Sequence, residues 1–190
     1  MSHLESFVPG LPDDAFVHDG LITKRIIRAA ALAHLRPCSG ETLWDLGVGA
    51  GSILVEWLRA HPTTRGVGVE RRPDRLVNAQ ENLARFGLAE RGRLIAGDVA
   101  DCLDELPEPD AVFVGGGLSA DVAEASLARL PAGGRFVAHG VTIEAEIRLT
   151  DLHARHGGEL TRMAVEVSDR IGSFRGWKPL RTVVQWAYVG

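Results

Sequence analysis

Leu43-Trp44-Asp45-Leu46-Gly47-Val48-Gly49-Ala50-Gly51 is the most informative stretch of this chain. Residues 42–46 form a short apolar run holding one acid, Asp45, and have the length of a β-strand. Gly47, Gly49 and Gly51 then alternate with Val48 and Ala50. Beyond them, residues 52–60 place Ile53, Leu54, Trp57 and Leu58 at helical spacing. The stretch reads as strand, tight loop, helix. Glycine tolerates positive φ and lets a ligand press against bare backbone. The start of the following helix offers unpaired N–H donors.

The same alternation continues along the chain. Strands are predicted over 66–70, 93–96, 111–114 and 135–138, and helices over 74–86, 119–130 and 142–156. Upstream, a helix is predicted over 24–35 with Thr23 as its N-cap. Pro9, Gly10, Pro12 and Gly20 punctuate the residues before it. Strands spaced by helices imply right-handed crossovers and a mainly parallel sheet. The end of the chain departs from this pattern. Met163, Val165 and Val167 alternate with polar or small residues, and residues 182–189 form a strand with no helix before it. A loop over about 169–179 joins the two, so they read as a closing antiparallel hairpin of a seven-stranded sheet. The expectation is one domain over 1–190, with an irregular segment over 1–23 and a Rossmann-like α/β core over 24–190.

Composition narrows the class. The chain has 190 residues, 45% hydrophobic and 24% charged, which suits one globular domain. Lys plus Arg is 21 against 25 Asp plus Glu, a net charge of −4, which argues against a basic nucleic-acid surface. No apolar run is long enough to span a bilayer. Met1–Ser6 lacks the charged start and apolar core of a secretory signal. Cys38 and Cys102 are the only cysteines, too few for a disulfide framework or a metal cluster, and fit a reducing cytoplasm. No histidine has ligand spacing with a carboxylate or cysteine set, so no metal is expected.

Three features raise the glycine loop above an ordinary turn. Glu70 ends the second strand, where an acid accepts hydrogen bonds from both hydroxyls of an adenosine ribose. Asp98 and Val99 follow the third strand, where a carboxylate and a backbone group reach an adenine edge. All three places fall at strand C-termini, where open α/β sheets bind ligands. The structural alternatives are a solvated Glu70 paired with Arg71 or Arg72, and Asp98 as a helix N-cap. The spacing is G-x-G-x-G, not the G-x-G-x-x-G of a dinucleotide site, and Asp45 beside it repels a pyrophosphate but suits the ammonium of a methionyl group. The pattern resembles the class I S-adenosyl-L-methionine-dependent methyltransferases, whose sheet also closes with an inserted antiparallel strand. The resemblance implies a cofactor site of Thr23, Asp45, Gly47, Val48, Gly49, Ala50, Gly51, Glu70, Asp98 and Val99, with S-adenosyl-L-homocysteine as product. A Rossmann dehydrogenase is the alternative.

Three further segments narrow the resemblance. They are Gly10-Leu-Pro-Asp-Asp-Ala-Phe16 with Leu21-Ile-Thr-Lys24, Val112-Phe-Val-Gly-Gly-Gly117, and Phe136-Val-Ala-His-Gly-Val-Thr-Ile-Glu144. In order and spacing they resemble the decarboxylating precorrin C15-methyltransferases of cobalamin biosynthesis, over about residues 9–150. Gly176-Trp-Lys-Pro179 and Gln185-Trp186 are similar to the tail of the bifunctional C5,15 version, which implies a fused or separate C5-methyltransferase domain. The resemblance implies a cobalt-free precorrin as substrate, methylation at C15 with decarboxylation of the C12 acetate, and a homotetramer. Where the family has Asn-Ala, this chain has His139-Gly140, and His139 is expected to face substrate. Gly116 and Gly117 match the family's substrate-side loop. A polyanionic substrate needs a basic rim; Lys24, Arg25 and Arg28 form one candidate cluster, and Arg170, Arg175 and Lys178 the other, with Trp177 placed to cover a ring face. Rival readings are a class I methyltransferase acting on RNA, protein or another small molecule, and a non-catalytic cofactor-binding module.

Overall fold

A computed structural model of the chain describes residues 7–190. The reading of Met1–Ser6 lies outside the described residues. In chain order the elements are α1 (Arg25–Leu35), β1 (Thr42–Leu46), α2 (Ser52–Ala60), β2 (Arg65–Glu70), α3 (Pro73–Arg85), β3 (Gly92–Ala96), α4 (Val99–Cys102) and β4 (Ala111–Val114). Then come α5 (Ala120–Ala128), β5 (Arg135–Gly140), α6 (Ile143–His156), β6 (Glu159–Met163), β7 (Glu166–Ile171), β8 (Phe174–Pro179) and β9 (Val183–Val189). Seven strands form one sheet in the order β3-β2-β1-β4-β5-β9-β6. β1 to β5 pair in parallel, and β9 is antiparallel to both its neighbours. The order reverses between β1 and β4, where the crossovers leave a crevice at the carboxyl edge.

Each face of the sheet is covered by its own apolar layer. On one face α1, α2 and α3 pack Leu32, Leu35, Leu54, Trp57 and Leu83 against Leu43, Phe113 and Val137. On the other, α4, α5 and α6 pack Cys102, Val122, Leu149 and Leu152 against Trp44, Phe136 and Trp186. Strands buried on both faces read as continuous apolar runs, which is why β1, β4 and β5 are plain in the sequence. Trp186 and Tyr188 stack at 5.7 Å beside His156 of α6, as the alternation in the last strand implies.

Three expectations need correction. The alternating Met163, Val165 and Val167 do not share a strand: Met163 ends β6 and Val167 belongs to β7. The expected closing loop is itself a two-stranded ribbon, β7 against β8. Thr23 does not cap α1; Lys24 holds the cap position without a side-chain bond, and Asp13 Oδ1 takes the Arg25 N–H at 2.9 Å. The segment before α1 contributes Leu11 and Phe16 to the core, and Asp13–Ala15 form a 3-10 turn.

Candidate active site

The carboxyl edge is built on backbone geometry. Gly47, Gly49 and Gly51 have φ of 77°, 54° and 74°, a left-handed series that side chains resist. A Cβ on Gly51 would stand 3.2 Å from the Cβ of Ala79, so α2 and α3 meet there closely. The Gly47 and Val48 N–H groups both donate to Val69 O at 2.9 Å, which ties the loop to β2. Val48 and Ala50 point their side chains into the core and offer only backbone to a ligand.

Glu70 and Asp45 are sequestered. Glu70 is 6% exposed; its Oε2 accepts from Gly49 N–H and its Oε1 from Arg72 N–H, both at 3.0 Å. It pairs with backbone and not with the Arg71 or Arg72 side chains expected of a solvated acid. Asp45 is 1% exposed and accepts from Leu54 N–H at 3.1 Å in the first turn of α2. Burial holds its carboxyl well above the usual carboxylate range; that hydrogen bond opposes the shift and the Glu70 charge adds to it. Asp98 is the N-cap of α4, accepting from Ala100 N–H at 3.1 Å, and its carboxylate is exposed. The capping alternative is therefore correct for Asp98, and the exposed position leaves the carboxylate open to a ligand. Val99 is half-buried beside it.

Two polar groups that the sequence reading missed hold this edge in place. Asn82 of α3 is fully buried. It donates to Ala50 O and Val17 O and accepts from Val17 N–H, each at 2.8 Å, joining the glycine loop to the N-terminal segment. Glu56 of α2 is buried against Arg28 of α1 and accepts from Gly10 N–H and Leu11 N–H. Arg28 is thus no part of a basic rim: it is wholly buried, bound to Glu56, Asp13, Thr23 O and Leu11 O, with its guanidinium 4.9 Å over the Phe16 ring. The only sequence signal was a charge on each apolar helix face.

The substrate-side expectations divide. Gly115, Gly116 and Gly117 are exposed in the loop after β4, and Gly116 O lies 3.7 Å from where a Gly47 Cβ would be, so the two glycine loops adjoin. Lys24 stands at the start of α1, its Nζ 3.6 Å from Asp13, and Arg25 is exposed beside it. Arg170 and Arg175 face each other directly across the β7–β8 ribbon, and Lys178 pairs with Asp169 at 3.2 Å. Trp177, 72% exposed, shares the arginine face by alternation. The ribbon leaves the sheet from Met163 and returns at Val183, which are paired at the carboxyl edge. His139 is buried at the end of β5. Its side chain is 4% exposed, with Nε2 2.8 Å from Gln185 Oε1 and the ring edge-on to Phe113 at 5.0 Å. Burial, only partly opposed by the Gln185 hydrogen bond, lowers its pKa to about 4.

Among the described residues no group of three His, Cys, Asp or Glu is placed to hold a metal ion, and no helix is long and apolar enough to cross a membrane.

Comparison with known proteins places this arrangement among its relatives. Residues 14–190 match the family described as precorrin methyltransferase domain. The chain is 44% identical over 180 residues to the precorrin-6Y C(5,15)-methyltransferase [decarboxylating] of Sinorhizobium sp., covering 94% of this chain and 43% of that protein. It therefore spans less than half the length of that relative. It is 31% identical over 183 residues to the probable cobalt-precorrin-6B C(15)-methyltransferase (decarboxylating) of Pyrobaculum aerophilum, covering 92% of this chain and 93% of that one. The crystal structure of the C-terminal domain of precorrin-6Y C5,15-methyltransferase from Rhodobacter capsulatus superposes with a TM-score of 0.92 and 45% identity, covering 97% and 100% of the two chains. The architecture is that of the class I S-adenosylmethionine-dependent methyltransferases. With the glycine loop, the pinned Glu70 and the closing β9 strand all in place, this chain belongs to the precorrin methyltransferase family.

Proposed function

We propose that the chain is a single-domain S-adenosyl-L-methionine-dependent methyltransferase that methylates C15 of a precorrin and releases the C12 acetate carboxyl as CO2. The observation that carries this reading is the Gly47–Gly51 loop held at positive φ and bonded through Gly49 N–H to the buried Glu70, at the crevice between β1 and β4. That cradle fits the cofactor: bare backbone faces the crevice, and acids stand at the ends of β2 and β3. When bound, the cofactor supplies an activated methyl group.

The chain's own residues bind and orient. Glu70, fixed by two backbone N–H groups, keeps lone pairs for ribose hydroxyls, and exposed Asp98 with the Val99 backbone receives the adenine edge. The backbone of Gly47, Val48, Gly49, Ala50 and Gly51 lines the site, with the buried Asp45 beneath it as a hydrogen-bonding carboxyl that anchors the start of α2 under the methionyl end of the cofactor. Thr23 and Lys24 stand at the start of α1. Gly116 and Gly117 admit the acceptor beside the glycine loop, and Arg175 with Arg170 meets its carboxylate arms. The acceptor is an electron-rich conjugated ring, so carbon attack needs no strong base. The chemistry is dominated by alignment and exclusion of water. On decarboxylation the C–C electron pair passes into the ring system and a proton replaces CO2.

The names of the relatives support precorrin as substrate class, and the half-length match supports a C5-methyltransferase domain, fused or separate, as partner. We also assign a homotetramer in the cytoplasm and a cobalt-free substrate. The test is calorimetric titration with S-adenosyl-L-homocysteine, then turnover of precorrin-6Y with methyl transfer and CO2 release read separately. Micromolar binding with both products is expected; absence of binding overturns the assignment.

A further inference from the structure

The end of β5 carries a polar side chain that the site described so far does not use. One residue beyond the paired positions Leu46, Val114 and Ala138 come Gly47, Gly115 and His139. Side chains alternate along strands, so these three share the α1–α2 face with Asp45, Phe113 and Val137, one step nearer the carboxyl edge. The edge-on contact of Phe113 with the His139 ring places the imidazole on that face. Gly47 and Gly115 are exposed and carry no side chain. The backbone of the two glycine loops therefore borders the His139 end of β5 with no side chain between.

α1 bounds the same space. Arg135, at the start of β5, donates through Nε to Leu35 O at 2.9 Å, so the helix ends where the strand begins. Eleven helical residues rise about 16 Å and the strand covers about 13 Å from Arg135 to His139, which brings the start of α1 level with the imidazole.

The imidazole has a defined polarity. Gln185 Oε1 only accepts, so Nε2 carries the proton and Nδ1 presents a lone pair. Nδ1 has no hydrogen-bond partner among the described residues. Among the described residues the one enclosed side-chain polar atom without a partner is Ser126 Oγ, so Nδ1 keeps a small solvent contact at the rim of a side chain that is otherwise buried. Its electrostatic surroundings are simple. β4 carries no charged residue, the one titratable group of β9, Tyr188, lies on the opposite face, and Arg28 of α1 is committed to Glu56 and Asp13. Arg25 and His34 are the other titratable groups of α1, with Lys24 at its cap, and the pKa of the ring is set by burial and the Gln185 hydrogen bond.

Building on the precorrin reading above, we propose that His139 recognises the acceptor: its Nδ1 lone pair takes a hydrogen bond from a ring N–H of the tetrapyrrole, at the point where β5 meets the two glycine loops. A fixed lone pair suits an N–H and repels a carboxylate. The imidazole thus orients the macrocycle core while the arginines hold its arms, and it selects a metal-free ring whose nitrogens still carry protons. The low pKa keeps the acceptor form intact across the physiological range.

The deciding experiment compares Gln185→Glu, His139→Asn and His139→Leu with wild type, measuring precorrin-6Y kinetics from pH 5 to 8.5 and S-adenosyl-L-homocysteine binding. Gln185→Glu places a carboxylate on Nε2, raises the imidazole pKa and turns Nδ1 into a donor at low pH. We expect KM for precorrin-6Y to rise about tenfold below the new pKa, against a flat wild-type profile, with cofactor-product binding within twofold. His139→Asn, which can turn an oxygen to the ring, retains most activity, and His139→Leu raises KM about tenfold. Wild-type KM in His139→Leu, or loss of homocysteine-product binding in step with KM, overturns the proposal. If Gln185→Glu does not fold, the Asn and Leu pair decides alone. A wild-type chain that binds S-adenosyl-L-homocysteine but does not turn over precorrin-6Y defeats the substrate reading, and the proposal with it.

Discussion

The two ends of the sheet's carboxyl edge are made differently. At β1 and β2 every group is fixed: Glu70 and Asp45 are buried, and both have backbone partners. Beyond β6, the β7–β8 ribbon exposes both faces. Arg170, Arg175 and Trp177 occupy one, and Val167, Ile171 and Phe174 the other. An isolated two-stranded ribbon is marginal in water, and like charges directly across a pair destabilise it. The first region is organised before its ligand arrives, and the second holds unspent charge that an anionic ligand would neutralise. The contrast agrees with the proposed pair of ligands, a small cofactor on one side and a large polyanion on the other.

Four substitutions test this contrast, taken in falling order of effect. Glu70→Ala strands the Gly49 and Arg72 N–H groups and removes the ribose partner. Calorimetry should show S-adenosyl-L-homocysteine binding weakened by roughly 100-fold. Gly51→Ala must hold φ near 74° with its Cβ against Ala79. Denaturant unfolding should show a loss of about 1–3 kcal/mol.

Asp45→Asn runs the other way. The folded carboxyl keeps a proton that the unfolded one releases above about pH 4, so wild-type stability falls as pH rises from there. The amide removes that slope, so melting at pH 7 should rise by a few degrees while product binding weakens about tenfold. Arg175→Ala is the mildest. It relieves the cross-strand repulsion, so Tm should stay within about 2 °C, while KM for precorrin-6Y rises several-fold and cofactor-product binding does not change. A large loss of stability in Arg175→Ala, or no effect of Glu70→Ala on binding, would show that the two regions do not differ as described.

The same contrast explains what was legible in the sequence. β1, β4 and β5 announce themselves because both faces are buried, and the glycine loop because its φ values demand glycine. The end of β7 and the whole of β8 do not, since an exposed strand needs no apolar periodicity, and residues 169–179 read like a loop. The buried brackets were hidden for another reason. Asn82 and Glu56 are satisfied by backbone of residues 65 and 46 positions away, and no local pattern marks a polar side chain whose partner is distant main chain. His139 was found by its position at a strand end, but its burial depends on Gln185 of a strand 46 residues later.

The insertion of β9 between β5 and β6 has a consequence for how the molecule assembles. β6 is made first, yet its sheet partner is β9, and between them lies the ribbon. Until β9 docks, β6 has no ladder and the slot that Trp186 fills is empty. Gln185, which holds His139, arrives on the same strand. Closure of the sheet is thus a non-local event that comes late. A newly made chain should carry a formed glycine loop and an open β5 edge for a time, and that edge is the one exposed to aggregation or to a chaperone.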